Sequence, residues 1–219
     1  MYEAINRGLR RASSEIVAYL NCDEQYLPGT LPRVMDFFQK HPEVEMVFGD
    51  VVMVDAEGRY LRHRKMQTPL LYHTWTCHLS TLSCGTFFRR RLVSDEESLF
   101  NPALRDVGDG EWMVRMLRRE VKMAVMGEFT SAFTCTGENM SAGPNAQREN
   151  RELLETAPLL ARKLRPVLIL HHRIRRLLGR MYIQKPFGYE IFTLKSPERR
   201  QKFHVDRPTG VHTRDTQSE

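Results

Sequence analysis

Apolar positions recur along the chain in two rhythms. From Met1 to Ala12, Ala4, Ile5, Gly8 and Leu9 fall at helical spacing, while "EIVAYLN" (Glu15 to Asn21) is a short run rich in Ile, Val and Tyr that predicts a buried strand. In "PGTLPRVMDFFQKHPEV", Leu31, Val34, Met35 and Phe38 share one face, with Thr30 as the expected N-cap, Pro32 in the first turn and His41-Pro42 as the stop. "EMVFGDVVMVDAEGRYL" reads as a strand, an Asp-Ala-Glu-Gly turn and a returning strand. His63 to Thr81 shows no clear period, and "LSCGTFFRRRL" (Leu82 to Leu92) predicts a strand with a basic end. "DGEWMVRMLRRE" (Asp109 to Glu120) puts Trp112, Met113, Met116 and Leu117 on one helical stripe with an acid at its start, where the helix dipole favours negative charge. "VKMAVMG" predicts another strand, Asn150 to Tyr182 is helical with breaks at Pro158 and Pro166, and the tail after Lys195 is polar and expected to be poorly ordered. Helices alternating with strands make the chain α/β.

Composition supports a folded domain: of 219 residues, 41% are hydrophobic and 27% charged. No stretch reaches the roughly 20 apolar residues of a membrane span, and the N-terminus lacks a signal-like apolar segment, so the expected compartment is the cytoplasm. Cys22, Cys77, Cys84 and Cys135 form no CxxC pair, which argues against structural zinc and gives no disulfide framework. The net charge of +6 is unevenly placed. Eight Lys or Arg and no acid lie between Thr156 and Tyr189, leaving 25 basic against 27 acidic residues elsewhere.

Asp23 and Glu24 sit where an apolar run ends. Adjacent carboxylates repel, and in open α/β sheets ligands gather at the carboxyl ends of strands. A hard divalent cation, which takes carboxylates together with substrate phosphates, would relieve that repulsion. The plainer alternative makes them a helix cap or a solvated turn.

The order of motifs resembles a known family. "MYEAINRGLRRASSEIVAYLNCDEQYLPGTL" resembles the middle of family 2 glycosyltransferases, GT-A fold enzymes with stretches of the form G-x-Y-D-A-I-N-K-G and G-D-I-I-A-Y-L-N-x-D-D-x-Y-x-P-G. "VEMVFGDVVMVDAEGRYL", "GTFFRRRL" and "FNPALRDVGDGEWMVRML" continue the likeness to the family's Y-G-D strand pair, its F-F-R-R segment and its E-D-x-E-L-x-L-R-L motif. The resemblance implies a partial GT-A, Rossmann-like mixed sheet flanked by helices, with a C-terminal amphipathic helical segment. It implies that Asp23 and Glu24 hold Mg2+ or Mn2+ against the diphosphate of a nucleotide-sugar donor, with Asn21 beside them. Asp109 then falls on the general base, with Arg115 as the matching Arg. A carboxylate there can take the proton of an acceptor hydroxyl, help typically worth about 10²- to 10⁴-fold; the plainer reading of Asp109 is a helix-capping acid.

Two departures from the family pattern stand out. Thr136, in "FTCTGENMS", occupies the position of a family His, so no third metal ligand carries over, and Gly108 stands where a Glu often precedes the base. The resemblance also begins in mid-domain, so the chain is expected to lack the family's leading strands and nucleotide-base pocket, leaving sheet edges open. The expected organisation is a partial transferase domain over residues 1–148, a basic helical segment over 149–194 and a disordered tail over 195–219.

In "LRPVLILHHRIRRLLGRMYI", Val167, Leu170, Ile174, Leu177, Leu178 and Met181 recur at helical spacing between Arg173, Arg175, Arg176 and Arg180. Such a cationic amphipathic helix can lie on an anionic membrane through residues 164–182, pack on the domain with a solvated basic face, or meet nucleic acid. With no reader motif in the chain, nucleic acid is not expected as a partner. His171 and His172 read as surface or packing residues, Arg89 to Arg91 as either phosphate contacts or a solvated strand end, and Trp75 and Trp112 as core. The expected activity is inverting sugar transfer from a nucleotide sugar to a saccharide or lipid-linked acceptor hydroxyl in cell-surface polysaccharide or glycolipid synthesis. The alternative is a catalytically silent, transferase-like module docking to a membrane or partner.

Overall fold

The structure, a computed structural model, describes residues 1–135 and 143–211. Its centre is β3 (Met46–Val54), all nine residues of which are buried. A strand buried on both faces needs apolar cover on each, and the chain supplies it from three sides. β3 pairs in antiparallel fashion with β4 (Tyr60–Arg64) and with β5 (Thr86–Arg89), and in parallel with β6 (Met123–Thr134). β1 (Ile16–Val17) and β2 (Glu24–Tyr26) form the two ends of this mixed sheet, in the order β1-β5-β3-β6-β2.

The side chains of β3 divide between cores by alternation, with one reset. Met46 and Phe48 join α1 (Tyr2–Arg11) and α4 (Gly108–Arg118) in the largest core, with Tyr2, Leu9, Trp112 and Met116. Val47 points the other way, to Val34 and Phe38 of α2 (Thr30–Lys40). The register with β6 then shifts around Asp50, and an irregularity of this kind exchanges the faces of the residues beyond it. Val51 and Met53 therefore return to the first core, while Val52 and Val54 meet a third, made by Tyr189, Ile191 and Val205.

That third core corrects the expected tail. The segment after the helices is a hairpin of β7 (Phe187–Thr193) and β8 (Ser196–Val205). Its inward positions bury Tyr189, Ile191 and Val205, and the Tyr189 and Phe203 rings stack at 5.2 Å. Gln25 and Phe192 exchange two hydrogen bonds, of 3.0 and 2.8 Å, which tie the hairpin to β2. Polar residues between the buried positions gave the stretch its disordered look. Residues 212–219 lie outside the described residues.

Other differences are local. Only Ile16–Val17 of "EIVAYLN" pairs, with Arg89 and Phe88; the rest leaves the sheet to form the turn at Asp23. Gly29, at φ 72°, is the N-cap of α2, a left-handed position suited to glycine, and Thr30 instead donates from Oγ1 to the Thr130 carbonyl at 2.6 Å. The stretch without clear period contains α3 (Leu71–Thr76). The C-terminal helical region resolves into α5 (Pro144–Glu155), α6 (Leu159–Lys163) and α7 (Arg165–Leu178).

Asp50 is 4% exposed, and its carboxylate accepts a bond from Met66 N at 2.7 Å. Burial pushes its pKa up to about 6, against the bond from Met66 and the charge of Lys65. A folded-state pKa above the unfolded value means that the native state holds the extra proton, so stability falls as pH rises from about 4 to about 6. Asp50→Asn keeps an acceptor without the charge. Thermal melts should show it matching the native chain at pH 4 and melting several degrees higher at pH 7.5; a lower melting temperature at pH 7.5 would show that the ionised form is needed.

Candidate active site

The turn from Asn21 to Glu24 closes with a bond from Glu24 N to the Asn21 carbonyl at 3.1 Å. Glu24 is 7% exposed and folds back on the turn, accepting from Asn21 N at 2.8 Å and from the Ser83 hydroxyl at 2.6 Å. Burial raises its pKa, opposed by these bonds. Asp23 is anchored through its backbone, where its carbonyl accepts from Thr134 N at 2.9 Å. Among the described residues its carboxylate meets no hydrogen-bond donor, leaving a hard oxygen ligand free at the surface of the turn. The three residues therefore differ in role: Asp23 presents, Glu24 braces, and Asn21 donates from Nδ2 to Ser83 Oγ at 3.3 Å.

Asp109 stands in the first turn of α4. Its Oδ1 accepts from Gly110 N at 2.8 Å and from the Tyr2 hydroxyl at 3.3 Å, while the Tyr2 oxygen accepts from Asp109 N at 3.1 Å. Burial raises its pKa against these bonds, the direction that suits a base working near neutrality. Gly108 explains itself here: a Cβ at that position would come within 2.5 Å of the Tyr2 ring.

Tyr19 links the two acidic elements. Burial first, then the charges of Asp109, Tyr2, Glu24 and Cys84, push its hydroxyl pKa well up, which puts Asp109 and the Asn21–Glu24 turn in one electrostatic neighbourhood. Arg89 does not belong to it. That side chain is buried, paired with Glu15, bonded to the carbonyls of Val44 and Phe38 and stacked on the Phe38 ring. Arg91 pairs with Glu45 at 3.0 Å. Trp112 is core, and Trp75 donates to Thr156 Oγ1 at 2.9 Å. Thr136 lies outside the described residues.

Residues 1–97 match the sequence profile of glycosyl transferase family 2. Over that length the chain is similar to family 2 glycosyl transferases. Curated relatives named "PGL/p-HBAD biosynthesis glycosyltransferase", from Mycobacterium bovis (strain BCG / Pasteur 1173P2) and Mycobacterium tuberculosis (strain ATCC 25618 / H37Rv), are each 24% identical over 187 residues, covering 84% of this chain and 69% of theirs. The crystal structure of S. aureus TarS shares the fold with a TM-score of 0.50 and 16% identity, over 80% of this chain. The chain spans 31% of the length of that TarS chain.

The chain holds its Asp109 helix in place by contacts with no sequence signal. Glu149, 2% exposed on α5, accepts from the backbone N–H groups of Arg105, Asp106 and Val107 at 2.9, 2.9 and 3.0 Å and from Asn145 Nδ2 at 2.9 Å. Burial raises its pKa, yet these donors outweigh it and hold the carboxyl below its usual range. Arg115 pairs with Glu111 at 2.7 Å and donates to the Glu97 and Leu99 carbonyls, so it anchors α4 to the preceding turn. Tyr2, Tyr19 and Ser83 likewise join the site from a distance in sequence; the "MYEAIN" stretch that carries Tyr2 was the one available hint. Glu149→Ala leaves buried N–H groups without an acceptor and should cost on the order of 3 kcal/mol in denaturant unfolding. Because the native pKa is depressed, that difference should shrink as pH falls below about 4; a loss under about 0.5 kcal/mol at pH 7 would refute the clamp.

Proposed function

We propose that the chain supplies the metal-binding and acceptor side of an inverting glycosyltransferase that moves a sugar from a nucleotide-sugar donor to an acceptor hydroxyl. The observation that supports this reading is that Glu24 of the acidic turn and the desolvated carboxylate of Asp109 both act on Tyr19, with Asp23 beside Glu24 in that turn and the turn within the segment similar to family 2. Asp109 takes the acceptor proton as that oxygen attacks the anomeric carbon. Tyr2 fixes the orientation of the carboxylate through its hydroxyl. The donor set at the turn fits Mg2+ or Mn2+: Asp23 would be the protein ligand, with Glu24, both of whose oxygens accept bonds from the protein, setting the turn. Such an ion, when bound, neutralises charge on the diphosphate. The name of the mycobacterial relatives, "PGL/p-HBAD biosynthesis glycosyltransferase", supports a biosynthetic glycosyl transfer; the acceptor in this reading is a cell-surface glycolipid or polysaccharide.

The expected outcome for Asp109→Asn is transfer reduced at least about 10²-fold, with metal-dependent binding of the sugar nucleotide unchanged by calorimetry. Asp23→Asn should lose that binding. Full activity in the first variant would sink the base assignment; undiminished binding in the second would sink the metal assignment.

The same reading places the protein peripherally, on the cytoplasmic face of an anionic membrane. α7 turns its mixed, polar side inward: His172 stacks on His73 at 4.0 Å, and Arg175 donates to the Thr68 carbonyl and hydroxyl, each at 2.8 Å. Its apolar stripe faces out, with Leu170 57%, Leu177 68% and Leu178 77% exposed. Arg162, Lys163, Arg173 and Arg180 are exposed along the same α6–α7 stretch, an arrangement suited to the interface of anionic lipid. Among the described residues no helix is long and apolar enough to cross a membrane. Sedimentation with vesicles should show binding to phosphatidylglycerol bilayers and little to neutral ones, falling at least tenfold in Leu177→Asp/Leu178→Asp. Equal binding by that variant would exclude α7 as the docking element.

A further inference from the structure

Behind β4 and α7 lies a cavity of about 360 Å³ whose lining includes Arg62, Arg64, Arg173, Arg176, His78 and His172 and, among the described residues, no carboxylate. Several arginines elsewhere in the molecule meet acids: Arg10 with Glu96, Arg33 with Glu128, Arg59 with Asp55, Arg91 with Glu45, Arg148 with Glu152. None of the four in the cavity is in an ion pair among the described residues. Arg64 donates to the Ser80 carbonyl at 3.3 Å and Arg176 to the Tyr182 hydroxyl at 3.3 Å, both neutral acceptors. Burial, followed by the charges of Arg62 and Arg176, pulls the pKa of Arg64 down to about 10. Guanidiniums crowded and partly desolvated without a counter-charge are costly. That cost makes the cavity a place where an anion is strongly favoured.

A metal ion is the competing occupant, because nitrogens of His73, His78 and His172 lie within 4.8 Å of one another, and both ring nitrogens of His73 are buried without a hydrogen-bond partner among the described residues. The geometry opposes it. His73 and His172 stack with planes 17° apart, so their in-plane lone pairs run nearly parallel instead of converging on one centre. The charges of Arg64, Arg175 and Arg176 also act on His172 and would repel a cation in the same place.

We propose that this cavity is a binding site for a phosphate group, a monoester or diphosphate, with Arg62, Arg64, Arg173 and Arg176 as its ligands. Guanidinium forks match phosphate oxygens in geometry, and several of them suit a doubly or triply charged group better than a single carboxylate. The site is joined to the acidic turn by one short segment: Ser80 receives Arg64 and Ser83 receives Glu24, and three residues span at most about 11 Å. The phosphate site does not depend on the transferase reading, since it requires only the arginines.

Two sources of this chemistry are distinguished by experiment: a soluble phosphoester and a lipid headgroup. Thermal melts of the full chain with pyrophosphate or inorganic phosphate, against sodium chloride at equal ionic strength, should show a rise of several degrees that Arg62→Gln/Arg176→Gln loses. Arg64→Gln should melt higher than the native chain without ligand, because it removes an uncompensated charge, and should bind pyrophosphate at least tenfold more weakly. A merely structural arginine would instead lower the melting temperature. If phosphatidic acid vesicles bind more tightly than phosphatidylglycerol vesicles, and pyrophosphate erases the difference in the native chain alone, the headgroup is the source. If pyrophosphate binds and the two vesicles are equivalent, the source is soluble. Absence of any phosphate-specific stabilisation, together with equal vesicle binding by native and variant chains, would overturn the site.

Discussion

Two-sided burial of β3 is the constraint on which the rest of the structure depends. Nine consecutive residues removed from water on both faces demand a sheet neighbour on each edge and an apolar layer above and below. The covering elements are the ones that carry the chemistry. α1, laid over Met46 and Phe48, brings Tyr2; α4, laid beside it, brings Asp109; β6, paired along β3, holds β2 and with it Glu24. The elements that carry Asp109 and Glu24 are thus both positioned by the need to cover or extend one strand.

Charge follows a different logic at the two ends of this arrangement. On the acidic side, Glu24 and Asp109 are desolvated but bonded to backbone N–H groups and hydroxyls, so both are held in place by neutral donors. On the basic side, arginines crowd a cavity with neutral oxygens as their protein partners. Both arrangements leave charge uncompensated by the protein. Arg89 and Arg115, by contrast, are engaged by acids as well as carbonyls.

Much of this was legible in the residues. Strong periodicity located α1, α2, α4 and the β3–β4 pair within a few positions, and the ordered motifs singled out Asp23 and Asp109. What escaped had a physical reason. β8 alternates buried Val205 and half-buried Phe203 with charged residues, so its composition resembled a solvated tail while its period was that of a strand. Glu149 acts through three backbone N–H groups of a distant loop, and backbone partners leave no trace in side-chain spacing. The stripe on α7 had the right period, but periodicity cannot say which side of a helix meets protein, and His172 and Arg175 took the inward place usually filled by leucines.

The protonation of Asp109 is set by opposing local effects. Its position at the start of α4 and the bond from Gly110 N both favour the ionised form, as does the Tyr2 hydroxyl. Desolvation acts the other way and is the larger effect. The Tyr2 ring is part of that desolvation as well as the source of one bond, and it fits only because residue 108 has no side chain. A bulkier residue there would push the ring aside, admit water and weaken the bond together. The two contributions of Tyr2 oppose each other in pKa but agree in geometry, since the ring that excludes water also carries the hydroxyl that orients the carboxylate. The basicity of Asp109 and its aim are therefore set by one contact between α1 and α4, and neither can be altered at that contact without the other.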